Sequence, residues 1–324
     1  MSNGHILITR QLTDAAMQAA GELGRELVVG GEQPPDRSWL LEAARGASAV
    51  VCTLTEQIDA ELLDAAGSDL RVVANVAVGY DNVDTAAAKE RGVVVSNTPG
   101  VLDAATADLT MALLLGLSRR VTEGDRFLRA GTSWIWGPRM FVGTDVSAGC
   151  TLGVVGYGRI GKAVARRALA FDMDVLAHSP SLPTSGEDGS GVSYTDLPTL
   201  LRLADIVTLH VPLTEDTRHL IAAEGLRAMK RDALLINTAR GGVVDTEALV
   251  AALRAGEIGG AALDVFEDEP NVDPRLLEFD NVVLTPHIAS AGRATRDRMG
   301  TLAVDNVAAV LDGEEALTPV NAGG

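Results

Sequence analysis

Three charged or titratable residues sit just after apolar runs in the second half of the chain. Arg240 follows LLINTA and precedes two glycines, Glu269 follows ALDVFED and precedes Pro270, and His287 follows VVLTP. An Arg guanidinium presents a rigid fork of donors that suits a carboxylate and can polarise a carbonyl. An imidazole gives or takes a proton near neutral pH. A carboxylate against that imidazole favours its charged form and fixes its orientation. Taken singly, each residue has an ordinary structural explanation: a turn cap, a solvated acid, a histidine shaped by its proline. Placed together at the ends of strands of one sheet, they would share an edge and form an anchoring and proton-transfer set.

The stretch Thr151 to Gly161, TLGVVGYGRIG, would bring a nucleotide to the same edge. Leu152 to Val155 reads as a buried strand, and Gly156, Gly158 and Gly161 follow at the spacing G-x-G-x-x-G. Ile160, Val164, Ala168 and Leu169 then fall on one face of a helix, with Lys162, Arg166 and Arg167 opposite. In a dinucleotide site the first glycine makes the tight turn and the second lets backbone approach the pyrophosphate. The third lets helix and strand pack closely, and the helix N-terminus faces the phosphates. A glycine-rich turn with no ligand is the plain alternative. Gly156 to Lys162 also fits the start of a P-loop, but Ala163 stands where a hydroxyl would ligate Mg²⁺, which argues against an NTPase.

Two βα series supply the strands that must position these residues. In the first, His5–Thr9, Leu27–Val29, Ala49–Leu54, Leu70–Val76 and Val93–Ser96 read as strands. Asp14–Leu23, Ser38–Arg45 (with Ser38 as a cap), Asp59–Ala66 and Thr85–Arg91 read as helices. In the second, strands fall at Leu152–Val155, Asp174–Ala177, Ile206–His210, Leu234–Asn237, Gly260–Val265 and Val282–Thr285, with helices at Leu197–Leu203, Ala222–Met229 and Glu247–Ala255. Repeated βα units imply parallel sheets with helices on both faces, and ligands beyond the carboxyl ends of the strands. Thr53–Thr55 and Val76–Tyr80 lie at such ends. The expected architecture is α/β: a Rossmann dinucleotide-binding domain, residues 100–287, inserted into a flavodoxin-like substrate domain, residues 1–99 and 288–324. The turn Asn97–Gly100 marks the first crossing, followed by a buried helix from about Ala104 to Arg119. The long helical pattern Ala294–Leu311 has no place in the second sheet and is expected to return to the first domain. Val121–Arg129 reads as a helix, Gly131–Gly149 as irregular, and Pro183–Gly191 as a mobile polar loop. Trp134 and Trp136 in the irregular stretch suggest an interface, with local packing as the alternative.

The 324 residues suffice for two ordinary domains, and 47% hydrophobic with 22% charged residues is a normal globular balance. A net charge of −17 argues against a nucleic-acid partner, while a local Arg can still dominate a pocket for a small anion. The two cysteines, Cys52 and Cys150, have no metal-ligand spacing and suit a reducing cytoplasm. Ile6–Ile8 is too brief for a signal peptide, and the apolar stretch Leu109–Leu117 is too short to span a bilayer. No membrane partner and no metal are expected.

Six separated motifs occur in order: ANVAVGYDNVD (Ala74–Asp84), GRIG (Gly158–Gly161), HVPLTEDTRHLI (His210–Ile221), NTARGGVVD (Asn237–Asp245), ALDVFEDEP (Ala262–Pro270) and LTPHIAS (Leu284–Ser290). In these the chain resembles the D-isomer-specific 2-hydroxyacid dehydrogenases, in particular the glyoxylate/hydroxypyruvate reductase branch, from near residue 45 to residue 321. The resemblance implies NAD(P)-dependent reduction of a small 2-oxo acid to the D-2-hydroxy acid. Arg240 would bind substrate, and His287 with Glu269 would act as the acid/base pair. It implies cofactor contacts at Gly156, Gly158, Arg159, Ile160, Gly161, Ser179, Pro212 and Asp264, with Asp264 on the nicotinamide carboxamide. It places substrate contacts at Leu54, Ala77, Val78, Gly79, Arg240 and His287, the backbone N–H groups from Val76 to Gly79 forming an anion nest. Trp136 matches a position that shapes the pocket. The segment Trp134–Phe141 and the helix before it resemble the family's dimerisation region, which implies a homodimer.

One departure bears on the cofactor. Members preferring NAD place an acid at the end of the second nucleotide-domain strand, where it bonds the ribose hydroxyls. Here that strand runs into His178, Ser179, Pro180 and Ser181. Nothing acidic would repel a 2′-phosphate, and no Arg in the stretch would bind one, so the expectation leans to NADP with mixed use. Two rivals share the fold: a phosphite dehydrogenase-like oxidoreductase, and an NAD(H)-sensing corepressor-like binding protein. The acidic charge and the lack of extra tails count against the second.

Overall fold

The computed structural model describes residues 4–147, 149–187 and 189–321. The chain begins with β1 (Ile6–Ile8), α1 (Asp14–Glu22), β2 (Leu27–Val29), α2 (Arg37–Ala44), β3 (Ala49–Cys52), α3 (Ala60–Ala66), β4 (Val72–Asn75), α4 (Thr85–Glu90) and β5 (Val94–Ser96). The five strands form one parallel sheet in the order β2-β1-β3-β4-β5, the flavodoxin-like order. Strands β1, β3 and β4 are buried along their whole length, as a sheet covered on both faces requires. Asp59 caps α3 by accepting from Leu62 N, and Asp84 caps α4 by accepting from Ala87 N. Ser38 does not cap α2: the helix starts one residue earlier, at Arg37, so Ser38 already lies in its first turn.

Next come α5 (Asp103–Ser118), α6 (Val121–Arg129), β6 (Thr151–Val155), α7 (Arg159–Ala170), β7 (Asp174–His178), β8 (Ser185–Glu187), β9 (Val192–Thr195), α8 (Leu197–Leu203), β10 (Ile206–Leu209), α9 (Ala223–Ala228), β11 (Leu234–Asn237), α10 (Thr246–Ala255), β12 (Gly260–Leu263) and β13 (Val282–Leu284). They build a second sheet in the order β13-β12-β11-β10-β6-β7-β9-β8. All its pairs are parallel except β8 with β9. The strand order reverses at β6, whose neighbours are β7 and β10, and this reversal opens a crevice at their carboxyl ends. One face of the sheet packs Leu152 and Val154 with Leu114 of α5 and Val164 of α7. The other packs Val155, Leu209 and Leu235 with Leu200 of α8 and Leu249 of α10.

The polar loop expected over residues 183–191 contains β8, which pairs antiparallel with β9. All three residues of β8 are exposed, so no hydrophobic alternation marks it in the sequence. Asp188 lies outside the described residues. The last helix, α11 (Arg293–Asp312), packs on α1, β3 and β4. The chain thus forms two units, residues 1–102 with 291–324, and residues 103–290. No helix among the described residues is long and apolar enough to cross a membrane.

Candidate active site

Strand β11 ends at Asn237, whose buried side chain shapes the turn leading to Arg240. Asn237 Oδ1 accepts from Ala239 N at 3.0 Å, and Nδ2 donates to the Arg240 carbonyl at 2.9 Å. The turn is closed from within and sends Arg240 out in an extended backbone conformation. Arg240 Nη1 donates to the Ala239 carbonyl at 2.9 Å. Beneath the turn, the buried hydroxyls of Thr238 and Thr110 lie 2.9 Å apart, tying it to α5. The next residue must be glycine. A Cβ on Gly241 would lie 1.9 Å from the Phe266 carbonyl carbon and 2.4 Å from Glu267 N. The loop after β12 is therefore pressed directly onto the Arg240 turn.

That loop carries Glu269. Glu269 Oε1 accepts from Phe266 N at 2.9 Å, and Oε2 pairs with His287 Nδ1 at 2.7 Å. Burial alone would push the Glu269 carboxyl up. The His287 hydrogen bond and charge, the Phe266 amide and the Arg240 charge outweigh it and hold the group below its ordinary range. An ionised Glu269 accepts Nδ1–H, which leaves Nε2 as the His287 nitrogen available to exchange a proton. His287 has a φ of 53°, a left-handed conformation that costs a non-glycine residue about 1–3 kcal/mol and persists only where its surroundings impose it.

Asp264 imposes it. This fully buried carboxylate takes Thr285 Oγ1 at 2.6 Å and Ile288 N at 2.8 Å on Oδ1, and Ala289 N at 2.8 Å on Oδ2. The Asp264 carbonyl accepts from His287 N at 2.8 Å. Four bonds from one residue thus fix the turn on either side of His287. Asp264, expected on the nicotinamide carboxamide, is buried, with both carboxylate oxygens bonded within the protein. Its place in the site is beneath the histidine turn. Sequence reasoning missed a second pair: His219 Nε2 lies 2.5 Å from Glu267 Oε1, and Glu267 Oε2 accepts Thr246 N at 3.1 Å. It joins the β12 loop to the first turn of α10. An acid two residues before Glu269 was its only trace in the sequence.

At the crevice, Gly156 follows β6 with a φ of 94° and donates its N–H to the His178 carbonyl at 2.8 Å. A Cβ there would lie 2.5 Å from the His210 carbonyl oxygen, and one on Gly161 would lie 2.1 Å from the Gly156 oxygen. Gly158 differs, since a Cβ there would meet nothing within 4 Å. The first and third glycines answer to the protein's own backbone, while the second faces open space. Gly158 is also the N-cap of α7 and offers no side chain to the first N–H groups of that helix, which begins with Arg159 and Ile160. Open room at a glycine before uncapped helical donors is what a pyrophosphate needs, so these residues fit a dinucleotide. Ser179 follows β7, its hydroxyl 3.2 Å from that of Ser181. Pro212, in the loop after β10, accepts from Thr217 Oγ1 at 2.6 Å through its carbonyl.

The first unit carries the remaining expected residues at the ends of its own strands. Leu54 is half-buried after β3. In the expected nest, the Val76 amide donates to the Cys52 carbonyl and the Ala77 amide to the Asn75 carbonyl, both at 2.8 Å. Those two amides are engaged within the protein, which leaves the Val78 and Gly79 amides of the expected nest without an acceptor among the described residues. Trp136, in the second unit, is 75% exposed.

The model of the NAD-binding domain of D-isomer-specific 2-hydroxyacid dehydrogenases matches residues 111–289. A glyoxylate reductase of Korarchaeum cryptofilum is 47% identical over 312 residues, 95% of this chain and 93% of its own length. The chain belongs to the D-isomer-specific 2-hydroxyacid dehydrogenase family. A Thermus thermophilus protein of known crystal structure superposes with a TM-score of 0.90 at 48% identity, covering 98% of this chain and 99% of its own. An NADPH-dependent glyoxylate/hydroxypyruvate reductase of Sinorhizobium meliloti, solved with NADP and malonate, reaches 0.85 at 37% identity, covering 98% and 97%. This D-2-hydroxyacid dehydrogenase is accordingly an oxidoreductase with a Rossmann-type domain for NAD or NADP. The rival phosphite dehydrogenase and corepressor readings gain nothing from these relatives.

Proposed function

We propose that the chain reduces small 2-oxo acids, glyoxylate and hydroxypyruvate foremost, to the D-2-hydroxy acids. The observation that carries this is the Glu269–His287 pair at 2.7 Å, held at the same sheet edge as the Arg240 turn. Arg240 binds the substrate carboxylate and polarises the neighbouring carbonyl. His287 donates the Nε2 proton to the carbonyl oxygen as it becomes an alcohol, and in the reverse direction neutral Nε2 takes that proton back. Glu269 keeps the imidazole in the required tautomer and balances its charge. A bound reduced nicotinamide supplies the hydride.

The cofactor would lie against Gly156, Gly158, Arg159, Ile160 and Gly161, with Ser179 and Pro212 at its margins. The lean to NADP rests on Ser179 standing where an acid would reject a 2′-phosphate, and the NADPH-dependent relative from S. meliloti agrees with it. Residues 1–99 and 288–324 serve as the substrate domain and 100–287 as the dinucleotide domain. The protein works as a homodimer through α5 and the segment from Trp134 to Phe141. None of the nine residues of α6 is buried, and Trp134, Ile135 and Trp136 are 54%, 92% and 75% exposed, a large apolar surface for one short stretch. Both cysteines are buried free thiols, as a cytoplasmic enzyme would keep them.

A panel of 2-oxo acids assayed with NADH and NADPH in parallel tests the reading. Glyoxylate and hydroxypyruvate should give the highest kcat/KM, with NADPH ahead of NADH. Absence of turnover on every 2-oxo acid, with cofactor bound, would contradict it.

A further inference from the structure

The residue after β5, Asn97, is buried and sends its side chain to the loop after β4. Asn97 Nδ2 donates to the Val78 carbonyl at 2.7 Å. Its neighbour Thr98 donates its backbone N–H to the Ala77 carbonyl at 2.8 Å. Asn75 Nδ2 donates to the Gly79 carbonyl at 2.9 Å. Three successive carbonyls are thus held by donors of the protein itself.

A peptide unit is planar and trans, so its N–H points opposite to its C=O. Holding the Ala77 carbonyl turns the Val78 N–H away from the end of β5, and holding the Val78 carbonyl does the same for the Gly79 N–H. Neither of these N–H groups has an acceptor among the described residues. Adjacent backbone donors directed away from the same anchor make an anion-binding concavity without adding formal charge. Asn97 is anchored in turn. Its N–H donates to the Thr318 carbonyl at 3.2 Å, and its carbonyl accepts from Thr318 Oγ1 at 2.6 Å. Thr318 is held by the fully buried Asn306 of α11, whose Oδ1 accepts from Thr318 N at 2.9 Å and whose Nδ2 donates to Thr318 Oγ1 at 3.0 Å.

We infer that Asn97 is a positioning residue for substrate: its amide, fixed by Thr318 and Asn306, aims the Val78 and Gly79 N–H groups at the substrate carboxylate. This rests on the proposed 2-oxo acid reduction and deepens it. Without the Asn97 donor the Val78–Gly79 peptide is free to turn its carbonyl toward the anion, which weakens binding without touching the proton donor or the nucleotide turn.

The test uses the full chain, Asn97→Leu (similar volume, no donor) and Asn97→Ala, with oxamate as a substrate-shaped anion. In the wild type, oxamate should shift the Val78 and Gly79 amide resonances. Both variants should bind oxamate and glyoxylate about 10-fold more weakly, the loss of one hydrogen bond to a charged group. The KM for NADPH and the kcat at saturating glyoxylate should stay within about twofold, a change well under 1.4 kcal/mol. A packing role predicts instead that Asn97→Leu behaves as wild type while Asn97→Ala does not, and that result overturns the inference. So does glyoxylate turnover with no amide shift in the wild type. Amide shifts lost in both variants of a protein that turns over no 2-oxo acid would sustain the positioning and overturn the proposed function.

Discussion

In the proposed mechanism the state of Glu269, paired with His287 at 2.7 Å, sets how the imidazole works. The Glu269 carboxyl, held below the ordinary value of 4.5, stays ionised across the neutral range. A group depressed in the folded state contributes stability that is fully present above its unfolded value and is lost as pH falls through the folded one. The difference in Tm between wild type and Glu269→Gln should therefore shrink as pH falls below about 4.5. The same variant separates this effect from catalysis. Glutamine can still accept from Nδ1 but no longer balances an imidazolium. The alkaline limb of kcat/KM for the 2-oxo acid should move to lower pH in Glu269→Gln, with activity at acid pH least affected. A limb that stays in place would mean that Glu269 orients the imidazole and does nothing more.

At the scale of elements, the site is built by contact between the turns that end β11, β12 and β13. Gly241 marks the tightest approach. Gly241→Ala would push the Phe266–Glu267 backbone away, and with it Glu269. Overpacking of this kind costs about 1–3 kcal/mol. A lowered urea midpoint together with lost activity is the expected result, and wild-type stability with wild-type activity would show that the two loops are not coupled. The strands behind these turns were legible because each is a short apolar run ending in polar or glycine residues, as LLINTARGG is. The three glycines of GYGRIG were legible from spacing alone. What could not be read was long-range. Nothing around Asp264 says that its carboxylate is spent on residues 21 to 25 positions further on. His219 and Glu267 meet across 48 positions. The amide directions at Val78 and Gly79 depend on Asn97 and Thr98, beyond any local pattern. β8 escaped notice because an exposed edge strand of Ser, Gly and Glu carries no periodic apolar signal.

At the scale of the whole molecule, two sheets with different strand orders carry different parts of the proposed chemistry. The first offers neutral backbone donors for an anion. The second supplies the nucleotide crevice, the guanidinium and the proton donor. Local donors matter in a chain of net charge −17, where the mean field opposes an anionic substrate. The exposed apolar stretch around Ile135 has a consequence for assembly. Sedimentation at micromolar concentration should give a dimer, and Ile135→Asp with Trp134→Asp should shift it toward monomer. A fully active monomeric wild type would contradict the proposed assembly. Proton donation by His287 in reduction of a 2-oxo acid stands or falls with His287→Ala. Glyoxylate reduction and NADPH binding would be measured on the same preparation. Positioned acid–base catalysis contributes about 10²–10⁴-fold, so kcat should fall by at least ~10²-fold while the Kd for NADPH stays within a few-fold. A variant that keeps wild-type kcat with its cofactor bound would rule out His287 as the proton donor.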